Sequence, residues 1–315
     1  MFDILIASIP IIFVSLYVYG IRSVWIILVS IISSVVTEIA IQILRAKKFL
    51  WREPIHSLVT SKEITFTDGS ALITGLLLAF TLPVSVPFWI PVIGSCVAIS
   101  SGKQVFGGLG NNIFNPALVG RAFLLASWPT LLTKWTGLQE WPRYINQLNM
   151  NPKSWLWIDA ATRATPLEAV KLSSSAYSSA DLLIGHGHGC LGELSALAVL
   201  LGALYLLYKG TITWHIPVTY VGTVFLLSFI LGNDPFYQIL AGGLMLGAFF
   251  MSTDPVTSPM TKSGRIYLGA ILGVLTVVIR NYGGYPEGVC YAILIGNGIT
   301  PLIDRMTRPK PIPAG

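Results

Sequence analysis

Thr165-Pro166-Leu167-Glu168 is a capping box. The Thr165 hydroxyl can accept a bond from the amide of Glu168, and the Glu168 carboxylate can reach back to the amide of Thr165. Pro166 stands at the first helical position, where a missing N–H is no loss. On local chemistry alone Thr165 starts a helix. A helix start is also an anion site, because its free amides and its dipole both favour negative charge. A phosphate esterified to the Thr165 hydroxyl would enter that field at once, and Arg163 could add a charge-assisted contact. One geometry serves both readings.

Four further groups have chemistry within reach. Asn111-Asn112 and Asn115-Pro116 follow Gly107, Gly108 and Gly110, a pattern for a broken helix whose amides and side chains face a cavity. Asn115 reads equally as a cofactor or ion contact and as a helix cap beside close helix packing. Ser252-Thr253-Asp254-Pro255 ends an apolar run, and Thr253 and Asp254 offer oxygens to a hard cation such as sodium. An ionisable group at membrane depth is a functional candidate by default, which makes Asp254 the first candidate for an ion path. Arg121 lies inside an apolar run and needs a partner: a cofactor phosphate, a carboxylate or a route to the interface. Glu38, near the inner end of another run, is expected to pair with Arg45 as a surface salt bridge. His186 and His188 form HxH with no evident third ligand, so a polar loop is the better reading than a metal site. Cys96, Cys190 and Cys290 have neither CxxC nor zinc spacing.

The elements that must position these residues are membrane helices. Of 315 residues, 53% are hydrophobic and 11% charged, against about 25% charged in a soluble domain, and the mean hydropathy is +0.70. The net charge of +6 suits cytoplasmic loops held on the inner side, and nothing resembles a basic stripe for nucleic acid. The start, MFDILIASIP, lacks a basic n-region and a cleavage site and reads as a retained membrane helix. A span needs about 20 mainly apolar residues. Ten stretches are candidates: 2–20, 23–44, 70–83, 86–101, 112–127, 189–208, 213–231, 236–252, 264–281 and 286–304. Prolines at 83, 87, 91, 255 and 259 break or bound several of them, and irregular backbone at this depth survives only where protein or a cavity shields it.

With a cytoplasmic N-terminus, twelve basic residues fall on inner loops and the tail, from Arg45 to Lys310. Only Arg22 and Arg280 fall on short outer loops, a clear positive-inside bias. The 128–188 segment, with Thr165 and a Trp-rich stretch expected to anchor at the interface, then lies outside the cytoplasm. ALITGLLLAFTLP and the later GGLGNNIFNPALVGRAF resemble ILAGGLMLGAFFMSTDP and the later GGYPEGVCYAILIGNGI. Five spans stand on each side of 128–188, and an odd number per repeat forces opposite orientations. An inverted repeat is expected, with sites near the midplane between the halves; chance similarity of Gly/Leu-rich helices is the alternative. The expected organisation is a first five-helix repeat over 1–127, an extracytoplasmic loop over 128–188, a second repeat over 189–304 and a cytoplasmic tail over 305–315.

Thr162-Arg163-Ala164-Thr165 matches the [ST]-x-A-T pattern at which flavin is attached in the D subunit of Rnf complexes and in the B subunit of the sodium-pumping NADH:quinone reductase. The wider context, Asp159 through Leu167, resembles that of this family, as do GGLGNNIFNPALVGRAF and MSTDPVTSP. By length the chain is more similar to the Rnf protein. It departs from the family at its start, which lacks a polar stretch before the first helix, and at GHGHGCLGE, where a more Gly/Ser-rich sequence is expected. The resemblance implies FMN joined through its phosphate to the Thr165 hydroxyl by a flavin transferase using FAD. Thr165 is then an anchor and not a catalytic group, with Thr162 and Arg163 beside it. A second, non-covalent flavin (riboflavin) among the helices is also implied, along with partner subunits, lipid, the bacterial inner membrane, and a share in a Na+ or H+ path. The chain itself would carry out no independent catalysis. The alternative is a solute channel or transporter of similar inverted-repeat fold with no redox role.

Overall fold

The computed structural model describes residues 2–49, 68–133, 167, 182–183, 189–283 and 288–308, and every regular element among them is helical. The first half contains α1 (Phe2–Tyr19), α2 (Ile21–Phe49), α3 (Ser70–Phe80), α4 (Trp89–Ile99), α5 (Pro116–Ser127) and the short α6 (Pro129–Leu132). The second contains α7 (Ala196–Tyr208), α8 (His215–Ile230), α9 (Pro235–Leu240), α10 (Leu244–Leu246), α11 (Lys262–Tyr282) and α12 (Val289–Thr307). Among the described residues, α1, α2 (over Ile21–Arg45) and α11 are long and apolar enough to cross a membrane; α3, α5, α7 and α8 are shorter apolar helices.

The helix starts obey capping chemistry. Asn115 caps α5, accepting from the Ala117 amide at 3.1 Å with Pro116 at the first position. Ser195 caps α7, Asp234 caps α9 and Thr261 caps α11 through their side-chain oxygens. Helices then pack through small residues. A Cβ on Gly269 of α11 would collide with Thr219 Oγ1 of α8, and one on Gly273 would stand 2.5 Å from Thr223 Cβ. Gly120 of α5 lies against the Gly94 carbonyl of α4, Gly75 of α3 against Ser30 and Ser34 of α2, and Gly202 of α7 against the Ala7 carbonyl of α1. These approaches bring the backbones together without a hydrophobic force from water. Hydroxyls add bonds across the same seams: Ser30 to the Gly75 carbonyl (2.7 Å), Ser34 to the Ala71 carbonyl (2.8 Å) and Tyr220 with Thr276 (2.6 Å).

Three expected spans are broken. The sixth does not begin at 189, because its helix starts at Ala196. Residues 189–192 are non-helical and buried, and their backbone is satisfied by other elements. Leu191 N donates to the Leu82 carbonyl (3.0 Å) and Gly192 N to the Phe80 carbonyl (2.8 Å). Ser15 and Tyr19 of α1 donate to the Leu191 and Gly189 carbonyls. A Cβ on Gly192 would lie 2.7 Å from Phe80 Cβ, so the close pass needs glycine. The eighth splits into α9 and α10 at Gly242 and Gly243, both left-handed, with φ of 68° and 67°. The fourth runs from Trp89 into a π-helical turn, Ser100–Gln104. A second π-helical turn, Gly247–Met251, continues α10. Composition gives no sign of either turn.

Candidate functional site

Both π-helical turns adjoin one cavity of about 210 Å³. Its walls come from the start of α1 (Ile4), α3 (Ser70, Ile73, Thr74, Leu77), the first π-turn (Lys103), the Gly/Asn segment with the α5 cap (Leu109, Asn112, Asn115), the end of α7 (Leu206), the second π-turn (Phe249, Phe250) and the residues just after it (Thr253, Asp254). Most of the lining is apolar. The polar groups are a few hydroxyls, two carboxamides, one cation and one carboxylate. π-Turns recur at functional sites because an extra residue re-aims the side chains beyond it.

Lys103 is the cation. Its ammonium donates to Glu38 Oε1 at 2.5 Å and to Ser70 Oγ at 2.6 Å. The ion pair is sealed, with side-chain exposures of 3% for Lys103 and 2% for Glu38. Gln104 Nε2 donates to the same oxygen at 3.1 Å, while Glu38 Oε2 is buried with no hydrogen-bond partner among the described residues. The expected surface pairing of Glu38 with Arg45 is therefore corrected. Ser30, Ser34 and Glu38 lie at i, i+4 and i+8 on one stripe of α2, which turns inward onto α3 and α4. Arg45 instead donates to the Gln104 side chain at 3.0 Å and to the Gln104 carbonyl.

Asp254 is the carboxylate. It accepts from the Val256 amide (3.4 Å), the Thr257 hydroxyl (3.3 Å) and the Asn112 side chain. Thr253 donates to the Phe249 carbonyl at 2.7 Å, and its lone pairs are left to accept. Asn112 also donates to the Phe114 carbonyl (3.1 Å). Asn115 ties the two halves together: besides capping α5 it donates to the Met251 carbonyl at 3.1 Å, in the second π-turn. Thus Asn115, Thr253 and Asp254 meet at one cavity. Arg121 does not reach it; it is buried with Nη1 3.4 Å from Cys190 Sγ. Thr162, Arg163 and Thr165 lie outside the described residues, as do His186 and His188. Sequence reading missed Lys103, although a lone lysine at the end of an apolar run was a usable signal.

The NQR2, RnfD, RnfE family is matched over residues 1–313. The chain belongs to this family. It is 44% identical over 312 residues to the D subunit of the Na(+)-translocating ferredoxin:NAD(+) oxidoreductase complex of Acetobacterium woodii, covering 98% of this chain and 88% of the relative. It is 40% identical to the D subunit of the proton-translocating ferredoxin:NAD(+) oxidoreductase complex of Clostridium ljungdahlii, covering 98% and 89%. It is 37% identical to the D subunit of the ion-translocating oxidoreductase complex of Cronobacter sakazakii, covering 96% and 91%.

This NQR2, RnfD, RnfE family member has a second polar feature at the far end of α11. Arg280, in the last turn, is buried. Its guanidinium donates to the Gln238 carbonyl (2.5 Å) and side chain (3.1 Å), and to the carbonyls of Ala241 (3.0 Å) and Gly242 (3.4 Å). Arg22 does the same for another irregular segment, donating to the Val84 and Val86 carbonyls at 2.9 and 3.1 Å beneath the Phe88 ring. Both arginines expected on outer loops are thus buried clamps, Arg22 on non-helical backbone and Arg280 on the end of α9 and the two residues after it.

Proposed function

We propose that this chain is the flavin-bearing membrane subunit of an Rnf-type, ion-translocating ferredoxin:NAD oxidoreductase complex. The observation that carries the reading is the T-R-A-T-P-L motif at 162–167, inside a chain aligned over nearly its whole length with proteins named as the D subunit of such complexes. Thr165 would hold FMN through a phosphoester to its hydroxyl, formed by a flavin transferase using FAD. Thr165, with Thr162 and Arg163 beside it, is the anchor; the flavin supplies the redox chemistry when bound.

The cavity residues fit a second, non-covalent flavin. Leu77, Phe249 and Phe250 offer apolar surface to a flat ring, while Ser70, Thr74, Asn112 and Lys103 offer hydrogen-bonding groups to its edges. These side chains would bind and orient it, and the apolar walls exclude water. Asp254 and Thr253 supply oxygens for Na+, or Asp254 alone a proton site, on the ion path. Arg121 has a partner in the Cys190 region and no part in this cavity.

Ten membrane helices in two inverted repeats, with both termini cytoplasmic and the 128–188 loop outside, remain our reading of the topology. Helix pairing supports it: α2 packs on α4 as α8 packs on α11, α4 on α5 as α11 on α12, and α1 meets α7 across the halves. The exposed apolar faces of α1 and α2, such as Phe2, Phe13, Ile21 and Ile32, suit the lipid of a bacterial inner membrane or a partner subunit. The test is in-gel fluorescence of the denatured protein after co-expression with a flavin transferase. A fluorescent band is expected, lost in Thr165→Ala while membrane insertion persists. Covalent flavin retained in that variant would overturn the assignment. No band in either, beside a fluorescent flavoprotein control, would favour a solute channel or a cofactor-free subunit.

A further inference from the structure

Two donors on the cavity wall have bonds left to give. The Lys103 ammonium carries three N–H groups. Among the described residues it meets two acceptors, Glu38 Oε1 at 2.5 Å and Ser70 Oγ at 2.6 Å. Ser70 accepts that bond, and its own hydroxyl proton has no acceptor among the described residues. Both side chains are buried and both line the cavity. A buried donor without an acceptor is costly, so this pair points to an acceptor that a ligand brings. The ammonium is also fixed in place. It stands on the π-turn Ser100–Gln104. Gln104 Nε2 donates to the same Glu38 oxygen, and Arg45 donates to the Gln104 side chain. The rest of the polar lining has the opposite character. Thr253 has spent its proton on the Phe249 carbonyl, so it and the Asp254 carboxyl present lone pairs.

We propose that Lys103 and Ser70 bind the pyrimidine edge of the ring held in this cavity, and that Lys103 sets the reduction potential of that ring. The proposal rests on the reading that the cavity takes a second, non-covalent flavin. The pyrimidine edge of an isoalloxazine offers carbonyl oxygens and a ring nitrogen as acceptors, which match two adjacent donors. Two electrons and one proton convert the neutral oxidised ring into a monoanion, with its negative charge on that edge. A fixed cation beside the edge, in a cavity walled mostly by apolar side chains, favours the reduced ring over the oxidised one. The reverse orientation would put the new charge beside Asp254. Glu38 holds the ammonium through one oxygen only, since its Oε2 has no hydrogen-bond partner among the described residues. The third N–H of Lys103 is thereby left for the ring.

The experiment uses the full-length protein with Thr165→Ala, purified in detergent and loaded with riboflavin. Two quantities are read: the riboflavin dissociation constant, from fluorescence quenching, and the midpoint potential, from spectroelectrochemistry with mediators as the electron source. Lys103→Met combined with Glu38→Met removes the cation without leaving a lone buried carboxylate. It should lower the preference for the reduced ring at least tenfold, a fall of about 30 mV for a two-electron couple. Lys103→Arg keeps a cation and should hold the midpoint near that of the parent. Ser70→Ala removes one donor and should weaken riboflavin binding about three- to tenfold. An ion pair that only braces the fold predicts less retained riboflavin at an unchanged midpoint, and that result would overturn the proposal. So would a midpoint in Lys103→Arg as low as in the double variant. If the double variant retains no riboflavin, Ser70→Ala and Lys103→Arg decide, and unchanged binding in Ser70→Ala would overturn the edge assignment. A parent protein that retains no riboflavin would overturn the second-flavin reading and the proposal with it. Retained riboflavin whose midpoint ignores Lys103 would overturn the proposal alone.

Discussion

Lys103 and Glu38 are 65 residues apart in sequence, yet they form the one salt bridge among the described residues. A buried pair is a weak stabiliser when intact and a costly one to break, because the survivor is left as an uncompensated charge. Lys103→Met is therefore expected to lower unfolding stability in detergent by about 3–5 kcal/mol, read as a fall in thermal midpoint. The double variant with Glu38→Met should recover most of the loss. Two equal losses that add would mean the pair is not coupled. The same residues mark how far sequence reading reaches. Asn115 was legible as a cap because the cap and the Pro116 beside it are local. The Glu38 partner was not, because α2 rotates that face onto elements distant along the chain. Arg45 was the nearer cation along the chain and the wrong one.

Helix existence was legible from apolar runs of sufficient length, and helix breaks were not. Hydropathy averages over a window, so it cannot distinguish a helix from a non-helical segment such as 189–192 whose backbone bonds go to α1 and to residues 80–82. The π-turns are hidden for the same reason, since one added residue leaves the local composition unchanged. What sequence does expose is the need for small residues at tight crossings. Gly269→Leu should separate α11 from α8, where the gap to Thr219 Oγ1 is already closed. The expected outcome is a chain that still inserts but loses its monodisperse peak in size-exclusion chromatography, with at least about 1–3 kcal/mol of destabilisation. Gly222→Leu on α8 meets open space and is the control that should elute normally. Equal behaviour of the two variants would dismiss the crossing as a packing constraint.

Across the whole molecule, burial changes what the basic residues report. Arg22, Arg280 and Lys103 are internal partners for carbonyls and a carboxylate, so they leave the loop tally. What remains of the short-loop bias points one way, and a cysteine at Met306, which is 85% exposed near the end of α12, should be labelled by an impermeant maleimide only from the cytoplasmic side. Labelling of intact cells from outside would invert the proposed orientation. Family membership was legible because three motifs fall in order along the chain, whereas the meeting of two π-turns at one cavity needed the fold. The cavity lies beside the residues that precede α11, and the Arg280 clamp lies at its other end. The 21 residues of α11 make a rod about 30 Å long, close to the thickness of the hydrocarbon layer. Any electron or cation passing from one feature to the other inside this chain would therefore traverse nearly the full electric field of the membrane. It would exchange about 2.3 kcal/mol per elementary charge for each 100 mV. α11 thus sets the distance over which a redox step could charge the membrane as a capacitor.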